Sequence, residues 1–388
     1  MAGVFCDSFA FYDTAGIGKR YSTVGGSIQT NPAHIRTGPR SLQIQAGDAP
    51  TVLNFTLPAD VTQTYCFAGQ YYNFAVGLAY QTGALNGLVF DLQRNLTISP
   101  TPARDLLSVR INGDGSLSLL TAGVTELARS AAGVLTAGAF YYITLTADIG
   151  GFSESTFAVV NVTTAGGVTT DVISISSFVL ADQFIDSILF GGPAGPDHAW
   201  VNDFYVQDLS DGSTAPFAPN IYATVPNADG TALTVWDFIT IGSWQPVGGS
   251  HFGLVNSVPE DESQGIQFLE SPRYAPDPPF FIITVAETYL YNCAVLPNAT
   301  YVQGIQTTFL WEYQTSILGV DAVQVVALFQ NDTGLLSTVQ RGVASKPGMP
   351  YVFIPTPSDF DPWTGLAWLT TDWKTGLRQA GPSNITPQ

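Results

Sequence analysis

Short runs rich in Val, Ile, Thr, Tyr and Phe alternate with clusters of Gly, Asn, Asp and Pro along the whole chain. That rhythm is the pattern of strands joined by tight turns, and no stretch carries a sustained helical period. In the first half the runs at 41–46 (SLQIQA), 71–80 (YYNFAVGLAY), 106–111 (LLSVRI), 116–120 (SLSLL), 141–147 (YYITLTA), 157–162 (FAVVNV), 187–190 and 199–207 are predicted strands. Between two of them, Asn112-Gly113-Asp114-Gly115 supplies residues that tolerate positive φ, which predicts a hairpin. The second half resumes the rhythm at 221–225, 233–241, 280–285, 303–311, 322–329 and 351–354, around an acidic, Pro-rich loop with one short strand near 257–280.

A chain of 388 residues suggests two domains. A polar stretch containing Pro follows Asp208, so the expected division is 1–210, a linker at 211–220, and 221–388. The expected fold class is all-β, with two β-sandwich domains.

Charge narrows the function. Charged residues are 11% of the chain, against about 25% in soluble domains generally. Either a Thr-, Ser- and Gly-coated β surface or coverage by other subunits accounts for the deficit, and 12% aromatic residues suits the second. No apolar run reaches the roughly 18 residues of a membrane-spanning helix, so membrane insertion is not expected. The net charge of −18 divides as 8 basic and 16 acidic residues in 1–210, and 5 and 15 in 211–388. Both halves would repel phosphate backbones, which argues against nucleic acid as a partner. The start, MAGVFCDSFAFYD, is not a positively charged segment leading into an apolar stretch, so assembly in the cytoplasm is expected. Cys6, Cys66 and Cys293 lack metal-ligand spacing and read as reduced thiols.

Catalytic patterns are sparse. Among seven Glu only Glu260 and Glu262 have the alternate spacing of a glycosidase pair, and they lie in an acidic loop. His34, His198 and His251 have no nucleophile motif beside them. Asp197, His198 and Asp203 could in principle meet at a metal, although a turn Asp, an edge His and a strand Asp are the plainer account. The chain is therefore read as no enzyme, with no catalytic, cofactor-binding or metal residues assigned. Aromatic side chains are the remaining contact candidates. Tyr71 and Tyr72, and Tyr141 and Tyr142, are adjacent pairs of which one member each must face away from a core. Trp363, Trp368 and Trp373 are spaced to divide between core and interface.

The order DSFAFYD, RTGPRSLQIQAG, GQYYNFAVGLAY, LSVRINGDGSLSLL, YYITLTADI and WVNDFYVQD, over residues 1–208, resembles the laminin-G or concanavalin A-like jelly-roll family. That resemblance implies two antiparallel sheets face to face, with the closing strand beside the first. It also makes a single structural Ca2+ at the sandwich rim conceivable, though no Asp-rich loop specifies one and no cofactor is assigned. The second half, with NADGTALTVW, WQPVGGSHFGLVN and PWTGLAW, resembles the carboxy-terminal module of certain tailed-bacteriophage virion proteins. Together the two imply a structural virion component of the tail or its fibres. Its expected partners are further copies of itself, other virion proteins and host surface polysaccharide. A capsid decoration or head-fibre protein, or a carbohydrate-binding adhesin, are the alternatives.

Overall fold

A computed structural model describes residues 2–10, 13–14, 17, 21, 25–45, 48, 51–54, 73–94, 104–149, 156–180, 185, 187–209, 212, 214–215 and 218–221. It also describes the strand backbones at 226–234, 242–246, 266–270, 286–293, 309–312, 323–330, 336–344, 350–353 and 379–385. The chain divides into two units, Met1–Ala223 and Thr224–Gln388. The stretch read from sequence as a linker, 211–220, belongs to the first of these.

Among the described residues unit 1 has fourteen strands: β1 (Ala2–Asp7), β2 (Ser27–Gln29), β3 (Ser41–Gln45), β4 (Thr51–Asn54), β5 (Asn73–Thr82), β6 (Gly87–Arg94), β7 (Arg104–Ile111), β8 (Leu117–Thr121), β9 (Thr125–Arg129), β10 (Phe140–Asp148), β11 (Phe157–Thr164), β12 (Thr169–Ser176), β13 (Ser187–Phe190) and β14 (His198–Asp208). They form two antiparallel sheets. The larger runs β12-β11-β10-β5-β14-β3-β2, with β1 also paired to β14, and the smaller runs β4-β13-β6-β7-β8-β9. The first and last strands of the unit lie side by side, Ala2 opposite Asp208 and Asp7 opposite Phe204. Unit 1 is thus a concanavalin A-like jelly roll.

The core follows from strand alternation. Phe74, Val76, Leu78 and Tyr80 of β5, Ile143, Leu145 and Ala147 of β10, and Val201, Phe204 and Val206 of β14 are buried on the inner face of the larger sheet. Phe90, Leu92, Leu107, Val109, Leu119, Ile188 and Phe190 answer them from the smaller sheet. Phe190 meets Phe204 edge to face at 4.7 Å between ring centroids, tying the sheets together.

The predicted hairpin is present. Ile111 pairs with Leu117, and Gly115 turns the chain at φ +76° with its N–H on the Asn112 carbonyl. A Cβ at Gly115 would stand 2.3 Å from the Leu135 carbonyl oxygen, so the position demands glycine.

Unit 2 is likewise built of strands: β15 (Pro226–Thr234), β16 (Gly242–Pro246), β17 (Ile266–Glu270), β18 (Ala286–Cys293), β19 (Phe309–Glu312), β20 (Val323–Gln330), β21 (Leu336–Ala344), β22 (Pro350–Phe353) and β23 (Gln379–Ile385). A five-stranded antiparallel sheet runs β15-β18-β23-β20-β21, and β16 pairs with β17 and β19 with β22. The short strand expected inside the acidic loop is β17.

Candidate functional site

The outer face of the larger sheet carries an aromatic and amide patch. Gln81 on β5, Trp200 on β14, Gln43 on β3 and Ser27 on β2 are cross-strand partners and so share one face. A short 3-10 turn, Pro32–His34, hangs over them and is capped by the Asn31 side chain. It lays the His34 ring flat on the Trp200 indole, with centroids 3.7 Å apart and planes within 2°. His198, two residues before Trp200 on the same strand, lies near-parallel to the indole at 6.1 Å.

Hydrogen bonds fix this stack. Gln81 Nε2 donates to the Gly138 carbonyl at 2.7 Å, which turns its Oε1 towards His34 Nδ1 at 2.8 Å. With Oε1 so placed, His34 Nδ1 is the donor of that bond. Gln29 Nε2 donates to Gln43 Oε1 at 3.2 Å and extends the amide row. The Trp200 Nε1–H is buried without a partner. Such a patch can stack against flat apolar faces and exchange amide hydrogen bonds with hydroxyl groups. It contains no nucleophile paired to a base.

Further along the same face the surface is closed. Ala75, Gly77 and Ala79 of β5 leave a shallow trough in which the Tyr142 and Tyr205 rings lie. Leu209, Ala215, Ala218 and Ile221 pack over them as a strap. Arg36 anchors the strap: its guanidinium pairs with Asp203 at 2.5 Å and donates to the Pro219 and Ala218 carbonyls. The Ile221 N–H donates to the other Asp203 oxygen. Asp203 is fully buried, and desolvation pushes its carboxyl above the usual range despite Arg36.

These contacts revise one sequence reading. Tyr142 does face away from the sandwich core, but the strap covers it to 2% exposure and its hydroxyl donates to the Asp203 carbonyl, so it offers no surface contact. Tyr141 is half-buried at the strand end, its hydroxyl held by Thr136. Asp197, His198 and Asp203 do not converge. Asp197 is exposed, His198 turns to Trp200, and Asp203 is taken by Arg36. Among the described residues no three His, Cys, Asp or Glu side chains gather at one point. Tyr71, Tyr72, Trp363, Trp368, Trp373, His251, Glu260 and Glu262 lie outside the described residues. His34 and Trp200 were not singled out as a pair from sequence, because 166 residues separate them and nothing local marks the stack.

The open edge of the larger sheet is a second feature. Strand β12 is exposed at most positions and carries one charge, the exposed Asp171, whose carboxylate accepts a hydrogen bond from Asn161. Val168 and Val179 flank it at 64% and 89% exposure, and Val124, in the turn before β9, is 82% exposed. Edge strands are ordinarily shielded by charge, Pro or a covering segment.

No family model matches the chain, and no curated protein matches it in sequence. Solved structures do share parts of the fold. An endo-β-1,4-glucuronan lyase from the fungus Trichoderma reesei aligns at TM-score 0.33 and 10% identity, covering 53% of this chain and 95% of that one. The exoplasmic/lumenal domain of VIP36 in a Ca2+/Man2-bound form aligns at TM-score 0.32 and 12% identity, covering 51% and 88%. A Trypanosoma rangeli sialidase in complex with the inhibitor DANA aligns at TM-score 0.30 and 16% identity, covering 48% of this chain and 30% of that one. We draw no functional argument from likenesses of this size.

Proposed function

We propose that the protein is a structural component of a tailed-phage virion, of the tail or its fibres, which acts by burying surface against copies of itself and other virion proteins. The observation that carries this reading is the edge strand β12: eight residues, one charged, paired among the described residues with β11 alone and flanked by exposed valines. Such an edge gains hydrogen bonds and apolar burial only when another chain covers it. The low overall charge supports the same reading, as does the resemblance of the two-domain layout, with NADGTALTVW, WQPVGGSHFGLVN and PWTGLAW in its second half. Lysines at the exposed β12 positions Thr170 and Ser174 are expected to lower self-association of the full chain, read by light scattering, without lowering the melting temperature comparably. A wild-type chain that stays monomeric at micromolar concentration and never co-sediments with particles rejects the proposal.

A second reading, contact with host surface polysaccharide, is favoured by the His34–Trp200 stack and its amide row. A glycan array probed with the full chain tests it. Binding lost on Trp200→Ala supports the contact, and silence across bacterial surface polysaccharides removes it.

A further inference from the structure

The outer face of the smaller sheet holds three groups that neither reading uses. Asp91 of β6 and Ser108 of β7 are direct cross-strand partners. They are 4% and 2% exposed, and both Asp91 Oδ1 and Ser108 Oγ lack a hydrogen-bond partner. Opposed residues on one face have Cβ atoms about 4.5–5.5 Å apart, so the two orphan oxygens open on one small volume. Leaving such groups empty-handed in the interior is costly.

A second carboxylate is delivered to the same place by an irregularity. The β6–β7 register shifts between Leu92 and Gln93, which pairs Gln93 with Asp105 rather than with its neighbour. Gln93 Nε2 then donates to Asp91 Oδ2 at 2.7 Å and to Asp105 Oδ1 at 2.8 Å, clamping the two carboxyl groups together. Asp105 is also pressed against Gly123, where a Cβ would come within 2.4 Å of its Oδ2. Among the described residues no Arg or Lys pairs with either carboxylate. Two clamped carboxylates beside an unused carboxylate oxygen and an unused hydroxyl are an all-oxygen donor set, the kind hard divalent cations take.

We propose that Asp91, Asp105 and Ser108 form a binding site for a hard divalent cation on the outer face of the six-stranded sheet. Asp91 Oδ1 and Ser108 Oγ supply the unfilled donors, Asp105 supplies the second negative charge, and Gln93 holds the carboxylates in register. The site lies on strand faces, not in a rim loop.

Calorimetric titration of the full chain with CaCl2, and separately with MgCl2, tests this. The expected result is one site for at least one of the two ions. Asp91→Asn, which keeps the shape of the side chain and its Gln93 neighbour, should fold and abolish binding, while Ser108→Ala should weaken it. Absence of heat and of any melting shift at millimolar concentrations of both ions overturns the site, the gap then being filled by water. Undiminished binding to the Asp91→Asn protein overturns it equally.

Discussion

Arg36 and Asp203 show how much rests on single buried polar groups here. The pair is 167 residues apart in sequence, yet it fastens the strap to the sheet through four contacts centred on one carboxylate and one guanidinium. Removing one partner leaves the other charge buried and unpaired. Arg36→Met is accordingly expected to cost about 3–5 kcal/mol in chemical denaturation, and the double variant Arg36→Met with Asp203→Asn distinctly less than that. Asp91 gives a pH signature of opposite kind to an ordinary surface carboxylate. Its folded value is raised, from 3.8 to about 8, so folding favours the protonated form. Its contribution is fully present at pH below the unfolded value and is lost as pH rises through the folded one. In metal-free buffer, stability should fall between about pH 4 and pH 8, and Asp91→Asn should flatten that slope. A wild-type slope that the variant leaves unchanged would remove Asp91 from this role.

Elements differ in how far their sequences declared them. Strands β5, β10 and β14 were legible because both faces are buried, the inner against the other sheet and the outer under the strap, which gives near-continuous apolar runs. The Asn112–Ser116 hairpin was legible through its glycines. Strand β12 escaped because TTDVISIS is mostly exposed and lacks the clean alternation of a half-buried strand, and β6 escaped because Asp91 and Gln93 interrupt its apolar positions. The strap was read as a linker since it makes its contacts with small residues, Ala215 and Ala218, between Leu209 and Ile221. Their contribution depends on the trough left by Gly77, where a Cβ would strike Tyr205 at 2.4 Å and Tyr142 at 2.9 Å. Gly77→Ala is expected to destabilise by about 1–3 kcal/mol. The same change should raise hydrogen exchange in 209–221 ahead of the inner strands, as should Arg36→Met, because the strap alone is displaced. Exchange that rises uniformly through unit 1 would contradict a separately anchored strap.

For the whole molecule, the strand rhythm and turn residues carried the all-β class and the jelly roll of unit 1, since periodicity and turn chemistry are local properties. The candidate surfaces were not legible, because the His34–Trp200 stack and the Arg36–Asp203 clasp join residues far apart in sequence, and the Asp91–Asp105 pair depends on a register shift between the consecutive strands β6 and β7. Composition left a Thr-, Ser- and Gly-coated surface and coverage by other subunits both open, and on the proposed reading the sparsely charged β12 edge is where that coverage falls. The central claim is that the chain is built into a tailed-phage particle. Electron microscopy of particles labelled with an antibody raised against residues 1–210 tests it most directly. Label on the tail or its fibres is the predicted result, and particles that carry no label anywhere would contradict the account.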